Sequence, residues 1–337
     1  MKWLREMADK GDIIPPALIK NFLKTLAPLS YVIARNPKAI IKNMDAWKKR
    51  LKISRAPWAH IDDESEYDSV KLFNLEENGD LPVVSDEKYL RPTRMCECDS
   101  VEIRAMAKKL GAYEKEPIEY VKSIFYFVKN QKYLVFKPMV GALGVLKSKG
   151  GVCLDQMNLL IALARAGGIK ARYRLYALSP SQEMYDVMVK DDPILRETYE
   201  ILGFLDSLHG CAEIYVDGEW LQLDPTLSDE LEAGMGLPIA EFGEEPAWRV
   251  RVPERDIVFE GFPVLFQNML ILTALILRNT VDMVNKKLDD LRVKGRRILE
   301  EVGKEEYNKT KKQFKIDMPS LEEIKKFREK ALVQRQI

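Results

Sequence analysis

The chain has 337 residues, with 53 Lys plus Arg against 52 Asp plus Glu, 46% apolar residues and 31% charged ones. That length accommodates roughly two domains or one domain with helical extensions, and so much apolar content excludes a core-poor disordered chain, because burial can offset the entropy of ordering. The formal charge of +1 excludes a protein built wholly around nucleic acid, and with only two histidines, His60 and His209, imidazole chemistry has very few places to reside.

Near-neutrality conceals segregated charge. Residues 1–60 carry thirteen Lys/Arg and four Asp/Glu, a net +9, whereas residues 61–100 carry four and twelve, a net −8. The spacing of Leu18, Phe22, Leu23 and Leu26 predicts amphipathic helices over 1–55, interrupted near Pro28 and Pro37. The expected organisation is a basic helical region (1–60), an acidic loop-rich connector (61–98), a catalytic domain (99–252) and a C-terminal helical region (253–337). Met1 leads into charged residues without an apolar signal region. Four scattered cysteines, Cys96, Cys98, Cys153 and Cys211, suit a reducing compartment, so the expected location is the cytoplasm.

Residues 100–111 and 116–131 read as amphipathic helices, the second opened by Pro117. After Gly150 and Gly151 the segment Leu154–Ala166 is apolar on nearly every side, as a central buried helix would be. Residues 171–178 alternate as a strand, 181–207 read as one or two helices, and 211–226 as a hairpin turning at Asp217–Gly218. Past Pro253 the chain is expected to become helical. Its apolar run, Phe262–Leu277, falls short of the roughly 20 residues that cross a bilayer. It is read as a buried or partner-packed helix, with no integral membrane insertion expected. Residues 286–337 return to a net +6.

A two-residue turn at Asp217–Gly218 sets Val216 opposite Glu219 and Tyr215 opposite Trp220. His209, Cys211, Glu213 and Tyr215 then share one face with Trp220, Gln222 and Asp224. His209 and Asp224 become diagonal neighbours at a Cα separation of about 7–8 Å, within side-chain reach. An imidazole held by a carboxylate lacks only a thiol or hydroxyl to form a nucleophile-activating unit. Cys153 opens the central helix, where free N–H groups and the helix dipole favour a thiolate and can hold an oxyanion, and Gly150 and Gly151 let a substrate backbone approach.

GGVCLDQMNLLIALARAGGIKARYRLYAL (150–178) resembles the Cys motif of the transglutaminase-like superfamily, and HGCAEIYVDGEWLQLDPT (209–226) resembles its His and Asp motifs. The approach YLRPTRMCECDSVEIRAMAKKL and the helix ending VKNQKYLVF are also similar, so the resemblance covers about 90–230. It implies an α+β, papain-like fold in which a helix bearing the Cys packs on an antiparallel sheet bearing the His and Asp. It further implies Cys153 as nucleophile, His209 as general base and acid, and Asp224 as its orienting partner. Val152 before the Cys and Cys211 at a usually aromatic position depart from the family pattern. The segment 181–207 is extra length beyond the compact pattern and is expected to wall or cover the cleft.

The implied reaction is attack of Cys153 on an amide or isopeptide carbonyl, a thioester acyl-enzyme and its hydrolysis, making the chain a peptidase or amidase acting on a peptide or protein. Alternatives are transglutaminase-type acyl transfer from Gln to a Lys amine, and a non-catalytic interaction protein on the same fold. Gly151, Cys211, Glu213, Trp220 and Gln222 are expected along the cleft, with Asp155, Arg172, Glu213, Trp220 and Gln222 also suited to structural duty. Cys96 and Cys98 read as ordinary thiols, and no metal or cofactor is expected. The basic terminal helices are candidate docks for a protein partner, and nucleic acid is not expected at the core.

Overall fold

A computed structural model describes residues 2–38, 41, 81, 83–202, 205–263 and 278–311. Most of the acidic connector, His60, the apolar run beyond Pro263 and the tail after Lys311 lie outside the described residues.

In chain order the helices are α1 (Lys2–Asp9), α2 (Pro16–Arg35), α3 (Val101–Lys109), α4 (Pro117–Gln131), α5 (Gly141–Leu146), α6 (Cys153–Ala166), α7 (Gln182–Met188), α8 (Pro193–Leu202), α9 (Asp229–Met235), α10 (Arg278–Val302) and α11 (Lys304–Thr310). The strands are β1 (Tyr133–Leu134), β2 (Gly150–Gly151), β3 (Ala171–Pro180), β4 (Leu205–Val216), β5 (Glu219–Leu223) and β6 (Arg249–Phe259). Ser100 caps α3 by accepting from the Ile103 N–H at 3.3 Å, and Pro117 starts α4 where its missing N–H costs nothing.

The main sheet is antiparallel throughout, in the order β5-β4-β3-β6. Asp217 (φ 52°) and Gly218 (φ 87°) make the turn between β4 and β5, both in the left-handed region that this hairpin requires. Tyr215 pairs with Trp220 and Glu213 with Gln222, the register that the turn dictates.

One face of the sheet is core. Ala171, Tyr173 and Leu175 of β3 join Ala212, Ile214 and Val216 of β4 in a cluster with α6. Every residue of α6 after Cys153 is buried, so the helix needs no polar face. The opposite face, near the start of β4, closes a second cluster: Tyr176, Cys211 and Trp248 pack with Leu134 of β1, Met184 and Val187 of α7, and Leu288 of α10.

Two expectations are corrected. α2 runs unbroken through Pro28 to Arg35. A mid-helix proline removes one hydrogen bond, but Leu29, Val32 and Ile33 just beyond it pack on Ile194 and Ile201 of α8, which holds the following turn. The chain past Pro253 does not turn helical at once, because β6 continues to Phe259. Its register on β3 jumps from Ala177–Val252 to Leu175–Ile257, so Pro253 falls in a bulge on an edge strand, where its missing N–H breaks no ladder bond.

The terminal helices pack on this core. Asn285 of α10 accepts from the Phe136 N–H (2.7 Å) and donates to its carbonyl (2.9 Å), while Arg292 donates to the Leu134 carbonyl (3.1 Å). Both contacts brace β1, which pairs with β2 immediately before Cys153. A Cβ at Gly150 would collide with the Tyr133 backbone, so this pairing requires glycine. Gly150→Ala is therefore expected to cost about 1–3 kcal/mol, as overpacking does. An unchanged urea midpoint would show that the two strands do not approach so closely.

Among the described residues no helix is long and apolar enough to cross a membrane, and no group of three His, Cys, Asp or Glu is placed to hold a metal ion. Cys96 and Cys98 are buried free thiols in the core, Cys98 Sγ lying 3.6 Å from the Leu90 carbonyl.

Candidate active site

Asp224 follows the last paired residue of β5 and faces the start of β4. His209 Nε2 lies 2.8 Å from Asp224 Oδ2, so the diagonal contact expected from the hairpin is made. The other carboxylate oxygen, Oδ1, accepts from the Thr226 N–H (3.1 Å) and hydroxyl (2.5 Å). Arg249 adds Nε (3.1 Å) and Nη2 (2.8 Å) to Oδ2. Burial alone would push this carboxyl up, but the charges of His209 and Arg249 and the bonds from His209 and Thr226 hold it well below the usual carboxylate range.

An ionised carboxylate only accepts, so Nε2 carries the proton in this pair and Nδ1 is left as the basic nitrogen. Burial lowers the affinity of His209 for a second proton, against the pull of Asp224 and with the help of Arg249 and Arg251. Trp248 stands edge-on to the imidazole at 4.7 Å between centroids, and Tyr176 at 5.5 Å, fixing the ring plane.

Cys153 begins α6 after the β2 strand and keeps a partly accessible surface. Leu134, paired with Gly151, lies in the same cluster as Trp248 and Cys211, which brings the cysteine end of α6 towards the His209 end of β4. The helix start was expected to favour the thiolate. Burial and the Asp224 charge instead push the thiol up to about 12, outweighing the bonds offered by the Leu154 and Cys153 N–H groups. Desolvation of a small anion exceeds what two backbone dipoles return here. Both shifts favour the uncharged form, of the Cys153 thiol and of the His209 imidazole.

The expected cleft residues divide. Trp220 and Gln222 line a cavity of about 300 Å³ with Asp224, Pro246, Arg249 and Arg251, one that neither Cys153 nor His209 lines. Glu213 is buried, its oxygens taken by Arg172 Nε (2.5 Å) and Arg174 Nε (2.6 Å), and Arg172 also stacks on Trp220 at 3.9 Å. Cys211 is buried beside Arg251, with Nη2 3.6 Å from Sγ. Burial pushes that thiol up to about 12 too. The space above Gly151 belongs to the Asp155 side chain, and that above Gly150 to Tyr133, so both glycines serve loop packing. Asp155 turns from the first turn of α6 to accept from the Val140 and Gly141 N–H groups, both 3.1 Å away.

Arg249, Arg251 and Trp248 were missed from the sequence. The alternation Arg249-Val250-Arg251 was a legible strand signal, but the partner of each arginine depends on β6 pairing with β3 across a long connection.

Residues 104–225 match the sequence model of the Transglutaminase-like superfamily, so the chain contains a transglutaminase-like domain. A solved structure described as a "putative cysteine protease" from Cytophaga hutchinsonii is similar at 21% identity and a TM-score of 0.33, over 51% of this chain and 50% of that one. The chain thus spans about half the length of that protein. No curated protein matches the sequence.

Proposed function

We propose that the transglutaminase-like domain of this chain is a cysteine hydrolase that cleaves amide or isopeptide bonds in a peptide or protein, with Cys153, His209 and Asp224 as its catalytic unit. The observation that carries this reading is the 2.8 Å bond from His209 Nε2 to a buried Asp224, which leaves Nδ1 basic in a chain with only one other histidine.

As Sγ of Cys153 attacks the carbonyl carbon, its proton passes to Nδ1 of His209, and the imidazolium formed is stabilised by Asp224. The Cys153 N–H supports the oxyanion. Collapse expels the amine, which takes the proton from Nδ1, and leaves a thioester. Water then gives a proton to Nδ1 and attacks the thioester, the C–S bond breaks to release the acid, and the departing Cys153 thiolate takes that proton back.

Two measurements test this. Iodoacetamide is expected to label Cys153 well before Cys211, because both thiols are pushed up but only Cys153 is partly accessible beside helix N–H groups. With an uncharged thiol and a His209 whose affinity for a second proton is lowered, the rate should rise as that proton leaves, below the ordinary imidazole range, and then hold level through neutral into mildly alkaline pH. A rate that falls again in the alkaline range, as an imidazolium loses its proton, would mean a preformed thiolate–imidazolium pair, and Cys211 reacting as fast as Cys153 would remove the enzyme reading. Incubation of a Gln-containing peptide with a labelled primary amine then decides between acceptors: acid formation is expected, and amine incorporation exceeding it would make the chain an acyl transferase.

A further inference from the structure

The Asp224 oxygen that holds His209 is itself gripped by Arg249. Both side chains are almost closed to solvent, at 1% and 2% exposure, and two guanidinium N–H groups converge on Oδ2, 3.1 and 2.8 Å away. The guanidinium is held in turn: Tyr176 of β3 lies 4.8 Å and Trp248 5.4 Å from its carbon, and Glu245 accepts from Nη1 at 2.8 Å. Tyr176 and Trp248 are also the rings that flank His209. One aromatic frame therefore sets the planes of the imidazole and the guanidinium, with the carboxylate between them.

Resting on the reading of Cys153 and His209 above, we propose that Arg249 is a positioning residue for the reaction: its fork fixes the Asp224 oxygen that receives Nε2–H, and so fixes the direction in which His209 presents Nδ1. A planar fork suits this because two donors on one oxygen leave it a single orientation, whereas an ammonium is a rotating point charge. The same charge also helps keep the imidazole neutral at rest. The charged and titratable groups around His209 are Asp224, Arg249 and Arg251, with Tyr176 from β3, and the Asp224 charge also reaches Cys153 at the start of α6; those around Arg249 are Asp224, Glu245 and Tyr176. Glu245 bridges Arg249 and Arg251 from an exposed position, so it does not replace Asp224 as the buried partner.

The test uses the full chain with Arg249→Lys and Arg249→Met. His209 is titrated through its imidazole NMR signals, which His60→Asn assigns without ambiguity in a two-histidine protein, and turnover is followed with p-nitrophenyl acetate. Arg249→Met is expected to raise the His209 midpoint, since a positive charge beside it is gone, and to lower kcat roughly 10–100-fold with little change in KM, as loss of a group orienting a functional imidazole does. Arg249→Lys should restore the midpoint more fully than kcat. An unchanged midpoint and kcat in the Met variant would make Arg249 a brace for the sheet end only. Should the Met variant fail to fold, the Lys variant decides alone: wild-type kcat overturns the proposal and a fall at constant stability supports it. The midpoint is read without substrate, so it separates failure of this inference from failure of the hydrolase reading, which the Cys153 labelling reports.

Discussion

Replacing Cys153 by serine is expected to abolish turnover of p-nitrophenyl acetate, a fall on the order of 10⁴–10⁶-fold, as when a nucleophile is removed from a unit whose members act together. The hydroxyl is a weaker acid than the thiol, and His209 is already made a poorer base by burial, so proton transfer from serine is doubly disfavoured. Stability should barely change, because the two side chains are nearly isosteric and the site is partly accessible. Comparing kcat/KM with the urea midpoint separates the two effects. Activity within tenfold of the unaltered chain would place the nucleophile elsewhere.

Asp224→Asn is expected to be as damaging to activity, about 10⁴-fold, and far more damaging to stability. All five hydrogen bonds at Asp224 come from donors: His209 Nε2, Arg249 Nε and Nη2, and the Thr226 N–H and hydroxyl. An asparagine must set its NH₂ against one of these groups whichever way it turns. If it faces His209, the imidazole must present Nε2 as acceptor and move its proton to Nδ1, the nitrogen needed as base. If it faces Thr226, a backbone donor is stranded.

In both orientations Arg249 loses its buried anion, a cost of about 3–5 kcal/mol for breaking a buried pair from one side. The pH dependence follows from the same geometry. The Asp224 carboxyl is depressed in the folded chain, so its contribution is complete above the ordinary carboxylate range and is lost as pH falls through that range and below it. The Asn variant should lose less stability on acidification than the unaltered chain. A parallel acid dependence would mean that Asp224 is not held ionised by its neighbours.

Local chemistry was legible in the sequence wherever one short rule fixed the outcome. Asp217–Gly218 set the hairpin register, the register set the shared face of His209 and Asp224, and the all-round apolar pattern of Leu154–Ala166 set the burial of α6. What failed to show was long-range or a balance of opposing effects. Arg249 reaches Asp224 only because β6 lies beside β3, and nothing in its local pattern names that neighbour. Pro253 and Pro28 look like breaks in a local reading. An edge bulge and the packing of α2 on α8 absorb them. The thiol of Cys153 was read from its helix position, a local property, but its acidity is set by burial and by Asp224, which only the assembled structure supplies. Gly150 and Gly151 were read as room for substrate, and the room is taken by Tyr133 and Asp155.

The most direct test is acid-quenched peptide mass spectrometry of the chain during turnover of p-nitrophenyl acetate. An acetyl thioester on the Cys153 peptide is expected within the first turnovers of the unaltered chain, strongly reduced when His209 is replaced by Ala and absent in Cys153→Ala. Acetylation confined to Cys211 or to lysines, with p-nitrophenol release unaffected by Cys153→Ala, would contradict the assignment of Cys153 as the acyl acceptor.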